Sequence, residues 1–470
     1  MYKLDRKIVF LTSIFFILVG IFFRFYQLNF ENYWFDEMNS FWVADPNISL
    51  NDMIARRQLT DQTPLLFNLI LKNYFKIFTY NPEVGRQVPF IFGILAIPLL
   101  GILSYQIKKD NSFLLTILLI SINIYLIKYS QETRPYSLVF LLSIINLIFY
   151  YKIILINFTS PKKIHIFLLF IFFSVISLSS HPFVFIIFFS QITYCIYSFF
   201  VFKNKNILFF LSIPIILVLY FFINYDYLIS QLAHKEYFLN SENWSFFYNY
   251  YFSRFFGSKI MGFIYLSTLI FLIIRFKKKI LFTRNNYLPL IFILIFSYII
   301  PLIYGLIRTP ILTDRYIIFV LIPILILISS LIFEINNKKL KIFFLIFVLF
   351  PTVINQYIEI KYRINTKPEF IKLLNSLKDH KIKNLTLQGS DLALKLVKNY
   401  VISTKVFKKN DFKIFDIKNL PSDIRTVWII CYEPLMGFNC DITDMDEQSW
   451  ILLNTKKKYL VSARLFKIRN

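Results

Sequence analysis

At the two ends of the stretch 34–64 the chain places three carboxylates, Asp36, Glu37 and Asp61, where carboxylates are expensive to keep. Trp34-Phe35-Asp36-Glu37-Met38-Asn39-Ser40 follows the first apolar segment, and Asp61-Gln62-Thr63-Pro64-Leu65 precedes another. An acid at a hydrocarbon boundary is costly unless it is paired or used, so each of these needs a reason. One reason is chemical: a positioned carboxylate can take the proton from a hydroxyl as a general base. The competing reason is structural. Asp is a favoured helix N-cap, which would set Asp36 ahead of a helix over 37–44, and Asp61 before Thr63-Pro64 suits a turn. Asp36 and Glu37 are adjacent, so on a helix they point about 100° apart and cannot both serve one proton. One of them acts, and the other is a cap or a loop partner.

Further polar residues fall in later breaks between apolar runs. They are Arg86, the string Ser130-Gln131-Glu132-Thr133-Arg134-Pro135-Tyr136, the pair His181-Pro182, and Asp314-Arg315-Tyr316. A long aromatic loop at 225–258 adds Asp226, His234, Glu236, Trp244 and Arg254. Each has an ordinary explanation: Arg86, Arg134 and Arg315 as snorkelling cations at a membrane edge, and His181-Pro182 as loop punctuation. Together they make a set that can bind a phosphate, through bidentate guanidinium contacts, and activate a hydroxyl.

The elements that must position them are apolar helices. Of 470 residues, 57% are hydrophobic and 20% aromatic, with 57 Phe against 9 Gly, a balance that no soluble domain of this size needs. Apolar runs at 8–25, 87–107, 113–128, 136–156, 164–180, 183–202, 207–224, 260–274, 287–307, 316–333 and 340–357 approach or exceed the length of a spanning helix, which predicts a polytopic membrane protein of about eleven spans. The segment 65–78 is short and carries Asn68, Lys72, Asn73 and Lys76, which predicts a helix lying in the outer interface. The N-terminal apolar run has no small-residue cleavage site before Arg24 and is read as a retained span.

With 65–78 outside the membrane core, the clusters Arg6/Lys7, Lys108/Lys109, Lys277/Lys278/Lys279 and Lys338/Lys339/Lys341 collect on one side. The positive-inside rule makes that side, with the N-terminus, cytoplasmic. The Asp36 loop, the other polar breaks and the tail then face outward. The formal charge of +25 is explained by this loop bias, without nucleic acid as a partner. Three cysteines imply neither a disulfide framework nor a Cys-based metal site, although Cys431 and Cys440 could pair in an extracytoplasmic tail. The division expected is 1–358 as the transmembrane domain, with the loop 26–86 as its catalytic part, and 359–470 as a small mixed α/β domain. In that domain 368–377 and 392–400 read as helices, and 384–388, 426–432 and 459–468 as strands. It contains no Gly-rich phosphate loop, HExxH, CxxC or nucleophile elbow.

The order Trp34-Phe35-Asp36-Glu37-x-x-Ser40, Asp61-x-Thr63-Pro64-Leu65, Glu83-x-x-Arg86-x-x-Pro89, then Ser130-Gln131-Glu132-x-Arg134-x-Tyr136 and Arg315-Tyr316, resembles the bacterial membrane glycosyltransferases related to protein mannosyltransferases and aminoarabinose transferase. The resemblance covers roughly residues 8–335, and the first-loop motif is its most specific part. It implies the C-type glycosyltransferase fold, a polyprenyl-phosphate sugar as donor, a cell-envelope acceptor, and a location in the bacterial inner membrane. It also implies that the first loop carries the catalytic acids (Asp36, Glu37, Asp61). Arg86, Glu132, Arg134, Tyr136, His181, Arg315 and Tyr316 are then the substrate-binding candidates. Members of that group usually have two prolines before the Leu, often after a basic residue; Gln62-Thr63-Pro64 has one proline and no cation. A phosphate contact expected there must come from elsewhere, and Arg134 and Arg315 are the candidates. No organic cofactor is called for. A divalent metal is used by some members of the group and not by others. The alternatives are a lipid-linked saccharide flippase, whose polar site would be expected at the bilayer midplane, and a polysaccharide polymerase or ligase, which would concentrate its site in one large later loop.

Overall fold

The structure is a computed structural model that describes residues 5–60, 63–155, 163–203, 207–233, 241–282, 287–378, 383–387, 391–404, 413–416, 420–421, 423–432 and 450–468. Asp61, His234, Glu236 and Cys440 lie outside the described residues. The chain divides into two compact units. One, the helical unit, comprises Met1–Tyr26, Gln62–Phe67 and Pro89–Tyr362. The other, the loop-and-tail unit, comprises Gln27–Asp61, Asn68–Val88 and Arg363–Asn470, so the first loop and the tail form one body.

The apolar runs of the sequence fold as helices. Six helices among the described residues are long and apolar enough to cross a membrane: Arg6–Phe25, Pro82–Ile107, Tyr136–Ile154, Pro182–Val201, Leu288–Ile307 and Lys338–Lys361. Four more are apolar but shorter: Ser112–Ser121, Ile164–Leu178, Ile207–Ile223 and Ile318–Glu334. The chain is an integral membrane protein. Large apolar side chains such as Phe10, Phe15, Phe25, Phe200, Phe222 and Ile307 stand exposed on these helices, as a lipid-facing surface requires. At the centre of the helical unit, Leu321–Glu334 is buried along nearly its whole length. Glu334 at its far end takes Lys108 (3.1 Å) and Lys279, while Arg315 and Tyr316 precede its start.

The run 113–128 is not one helix. Ser112–Ser121 ends, and Asn123 then caps a separate short helix, Ile124–Tyr129, by accepting from the Leu126 amide at 2.9 Å. The Asn123 side-chain amide donates to the Phe255 carbonyl at 3.0 Å. The polar cap overrides an otherwise apolar pattern because Asn satisfies helix-start amides that the backbone cannot. Arg24 serves the preceding helix end: buried at the close of Arg6–Phe25, it donates to the carbonyls of Ile120 (3.0 Å) and Ser121 (3.3 Å), where a helix C-terminus favours a cation.

The tail builds a five-stranded sheet: β1 Asn384–Leu387, β2 Lys413–Asp416, β3 Thr426–Tyr432, β4 Trp450–Lys458 and β5 Val461–Ile468, ordered β2-β1-β3-β5-β4. β1 runs parallel to β2 and β3, and β5 runs antiparallel to β3 and β4. Helices Phe370–Leu377 and Asp391–Ser403 accompany it. Central β3 is buried along almost its whole length, as its continuous apolar run requires. Edge strand β4 is largely exposed and ends in Lys456-Lys457-Lys458, cations that discourage edge pairing. Tyr459-Leu460 forms the hairpin turn, with Leu460 at φ 58°, so β5 starts two residues later than the alternation suggests. β2 and β4 were not anticipated: the first is four residues long, and the second lacks apolar alternation. Cys431 is buried in β3 and disulfide-bonded, and Cys195 is a buried free thiol.

Candidate functional site

In the loop-and-tail unit, the acidic motif opens the helix Phe35–Val43. Its N-cap is Trp34, with no side-chain cap bond, so Asp36 lies inside the first turn and does not cap. Its half-buried carboxyl still sits where the helix dipole favours negative charge. Ser40 donates back to the Asp36 carbonyl at 3.2 Å, one turn along. Tyr432 of β3 is near: burial, and then the Asp36 charge, push its phenol up to about 12.

Glu37 points elsewhere. It is wholly buried and takes Arg86 on both oxygens, Nε to Oε1 and Nη2 to Oε2 at 3.3 Å each, with Lys367 Nζ on Oε2 at 2.8 Å. The Arg86 guanidinium also donates to the carbonyls of Leu28 (3.3 Å), Glu31 (2.6 Å) and Asn32 (3.2 Å). Two residues predicted for the site, Glu37 and Arg86, are thus joined to each other. Lys72, read from the sequence as an interfacial polar group on 65–78, is buried on the helix Leu66–Ile77 and donates to the carbonyls of Asp45 (2.7 Å) and Ile48 (2.6 Å).

In the helical unit three predicted residues meet. The His181 ring lies 5.0 Å from Tyr316 and 6.5 Å from Tyr136. His181 Nδ1 accepts from the Phe183 amide at 3.2 Å, capping the short 3-10 helix Pro182–Val184, which assigns the proton of a neutral ring to Nε2. Glu132 and Arg134 are both buried, and the Arg134 guanidinium lies 5.9 Å from the Tyr136 ring. Gln131 is structural: its amide donates to the carbonyls of Arg24 (3.0 Å) and Tyr26 (2.9 Å). Burial, and then the Glu132 and Asp314 carboxylates, hold the Tyr129 hydroxyl well above its usual value.

A cavity of about 730 Å³ opens beside these residues. Tyr125, Lys128 and Tyr129 line it from the short capped helix, Arg254 and Gly257 from the long loop, Lys259 from the start of the helix Lys259–Arg275, and Asp314, Arg315 and Glu359 complete it. Four cations face two carboxylates. Asp314 is committed: Arg254 Nη1 donates to it at 2.8 Å, and the Tyr125 hydroxyl at 3.2 Å. Arg315 lines this cavity, whereas Arg134 is not among the lining residues. Lys128 and Lys259 were not singled out from the sequence, since single cations at the ends of apolar runs look like snorkels. The Asn123 cap was the signal that could have found Lys128, because it separates the short helix from the preceding span.

The loop wall is tightly shaped. Tyr250 and Tyr251 are consecutive left-handed residues, at φ 47° and 62°, between the helices Trp244–Asn249 and Phe252–Phe255. Non-glycine residues there cost energy and gather at functional sites. Gly257 has φ 86°, and a Cβ there would meet Asn355 and Ile124 at 2.9 Å each. Next to this wall lies a smaller polar pocket of about 240 Å³, sharing Ser253, Arg254 and Thr313 with the first and lined also by Glu242 and Asn249. Burial, opposed by Arg254 and helped by Asp314, raises the Glu242 carboxyl to about 7. The Tyr251 hydroxyl lies within hydrogen-bond reach of both Glu242 and the Leu312 carbonyl. One hydroxyl proton cannot serve two acceptors, so the pair is satisfied when Glu242 is protonated and donates to Tyr251.

Among the described residues no group of three or more His, Cys, Asp or Glu side chains gathers that could hold a metal ion.

No protein-family model and no curated protein sequence matches the chain. Solved structures do. ArnT from Cupriavidus metallidurans in the apo state aligns with 96% of this chain and 97% of its own, at TM-score 0.61 and 9% identity. The same protein bound to undecaprenyl phosphate aligns over the same shares, at TM-score 0.55 and 10% identity. The Archaeoglobus fulgidus oligosaccharyltransferase, in complex with Zn and sulfate, aligns with 90% of this chain and 68% of its own, at TM-score 0.52 and 10% identity. Likeness at these identities is likeness of fold. The chain has the fold of ArnT and of the archaeal oligosaccharyltransferase, the relation that its first-loop motif implied.

Proposed function

We propose that this protein is a glycosyltransferase that moves a sugar from a polyprenyl-phosphate donor to a hydroxyl of a cell-envelope acceptor. It works on the outer face of the bacterial inner membrane, through about eleven spans with a cytoplasmic N-terminus. The observation that carries the reading is the cavity walled by Lys128, Arg254, Lys259 and Arg315 in a membrane-embedded unit. A phosphate on a lipid tail needs cations at the end of an apolar surface. The likeness of fold to a protein seen with undecaprenyl phosphate supports that ligand.

The chemistry follows. Asp36 takes the proton of the acceptor hydroxyl as its oxygen attacks the anomeric carbon. The bond from that carbon to the phosphate oxygen breaks, the configuration inverts, and the polyprenyl phosphate leaves with the electron pair. Lys128 and Arg315 stabilise the charge that develops on the departing phosphate. Glu37, with both oxygens engaged by fixed cations, supports the loop, and Asp36 is the base. His181, Tyr136 and Tyr316, a polar-tipped aromatic group, are assigned to the sugar; Glu132 and Arg134, both buried, remain candidates for substrate binding. Asp61 remains a candidate acid of the same loop. The disulfide at Cys431 accords with an extracytoplasmic tail.

The test is binding of undecaprenyl phosphate to the purified protein in detergent, with the Lys128→Ala/Arg315→Ala double variant as the comparison. Saturable binding that the double variant loses supports the reading. Absence of binding to the unaltered protein refutes it.

A further inference from the structure

The tail carries no motif of its own, yet it touches the helix that bears Asp36 at both ends and along its length. Ahead of that helix, the Tyr33 amide donates to the Tyr400 hydroxyl at 3.1 Å, and the two rings stack at 5.3 Å and 9°. The Thr366 amide and hydroxyl both reach Glu31 Oε1 at 2.7 Å. In the helix's first turn, the Phe35 ring lies 5.1 Å from Tyr432 and 6.3 Å from Phe370. Toward its end, Asn399 donates to the Tyr80 hydroxyl at 2.7 Å, and Tyr80 in turn donates to the Phe41 carbonyl at 3.1 Å and stacks on the Phe41 ring at 4.1 Å. Also in the first turn, Lys367 Nζ meets the Glu37 carboxylate at 2.8 Å, with the two side chains 6% and 0% exposed.

We infer that the tail domain is a built-in part of the catalytic loop's scaffold, and that Lys367 is a positioning residue that orients Asp36 by fixing its neighbour Glu37. The inference rests on reading Asp36 as the base. Arg86 alone already neutralises Glu37 and ties it to the incoming segment Leu28–Asn32. A second cation is therefore not needed to balance the carboxylate's charge. It approaches from the far side of the chain, 330 residues away in sequence. Arg86 tethers Glu37 to its own loop. With Lys367 it is tethered to the sheet domain as well, which fixes the rotation of the helix about its axis. Asp36 is the adjacent residue, about 100° round the same helix, so that rotation decides where its carboxylate aims. A small misplacement of a catalytic group, about 1 Å, costs on the order of 100-fold in rate. The cations assigned to the donor phosphate belong to the other unit and have no part in this clamp.

The experiment uses the full-length protein in membranes, with Lys367→Met, Lys367→Arg and, in parallel, Asp36→Asn. Two readouts are taken: hydrogen–deuterium exchange of the peptide covering 35–43, and release of undecaprenyl phosphate from undecaprenyl-phosphate glucose, galactose and mannose in extracts that supply the acceptor. Lys367→Met is expected to raise exchange in 35–43 and lower kcat by about 10- to 100-fold, with donor KM changed less than about threefold. Lys367→Arg, which keeps the charge, is expected to recover most of the turnover. Unchanged exchange in Lys367→Met overturns the inference whatever the activity. Raised exchange with unchanged kcat, or a loss carried by donor KM, overturns it as well. Full activity in Asp36→Asn is a separate failure, that of the base assignment, and leaves the exchange result to be judged alone.

Discussion

Glu37, Arg86 and Lys367 in one unit, and Lys128, Arg254, Lys259 and Arg315 in the other, are both clusters of charge, but they are built for different ends. The first is closed: its side chains are at most 6% exposed, and Glu37 has cations on both oxygens. Charges taken out of water at such cost are kept only when paired. The second is open. Lys128, Arg254 and Lys259 are exposed and Arg315 half-buried around a cavity of about 730 Å³, with Arg254 engaged by Asp314. Exposed cations cost little and can exchange water for phosphate. Sequence reasoning placed Arg86 and Arg315 in one class of substrate-binding candidates. Arg86 lies in the closed cluster and Arg315 beside the open cavity.

The largest effect that this contrast predicts is on stability. Glu37→Ala leaves Arg86 and Lys367 buried without their carboxylate, and is expected to destabilise the loop-and-tail unit by about 3–5 kcal/mol, read as a lowered unfolding midpoint. Removing a cation from the open cavity carries no such penalty: Lys128→Ala and Lys259→Ala are expected to leave that midpoint within about 0.5 kcal/mol. A Glu37→Ala protein as stable as the parent would erase the distinction between the clusters.

Next in size is ligand binding. Arg315→Ala is expected to cost on the order of 2–4 kcal/mol of transition-state stabilisation, read as a fall in kcat/KM for donor. Raising salt should weaken undecaprenyl phosphate binding, because exposed cations are screened, while the stability contributed by the buried triad should respond little. Equal salt sensitivity of both would contradict the contrast.

The smallest effect concerns Glu242. Its carboxyl titrates near 7 in the folded protein, against an ordinary 4.5. The folded state therefore binds more protons between those values, and stability falls as pH rises through that window. Unfolding midpoints at pH 5 and pH 8 should differ in the parent by a small amount, and the difference should shrink in Glu242→Gln, which cannot ionise.

Much of this was legible in the residues. Apolar runs located the spanning helices, because length and hydropathy are local properties. Asp36 and Glu37 stood out because acids rarely follow directly on a hydrocarbon segment. Adjacency on a helix correctly separated their directions, although Asp36 proved to lie inside the first turn where a cap was one expectation. What could not be read is what depends on distant partners. Nothing near Lys367 marks it as a ligand of Glu37, and nothing in the tail marks Tyr400 or Asn399 as contacts of the first loop. The break at Asn123 was hidden in an apolar run for a related reason: a single capping side chain, supported from Phe255, outweighs the pattern around it.

The most direct test of the central claim is turnover by Asp36→Asn. The substitution keeps the shape of the side chain and removes the base, and Asp36 does not cap its helix, so a change in activity is not a change of cap. The account predicts normal amounts of membrane-inserted protein, unchanged binding of undecaprenyl phosphate, and transfer reduced by roughly 100- to 10,000-fold. Transfer within about twofold of the parent would contradict it, and the role of base would pass from Asp36.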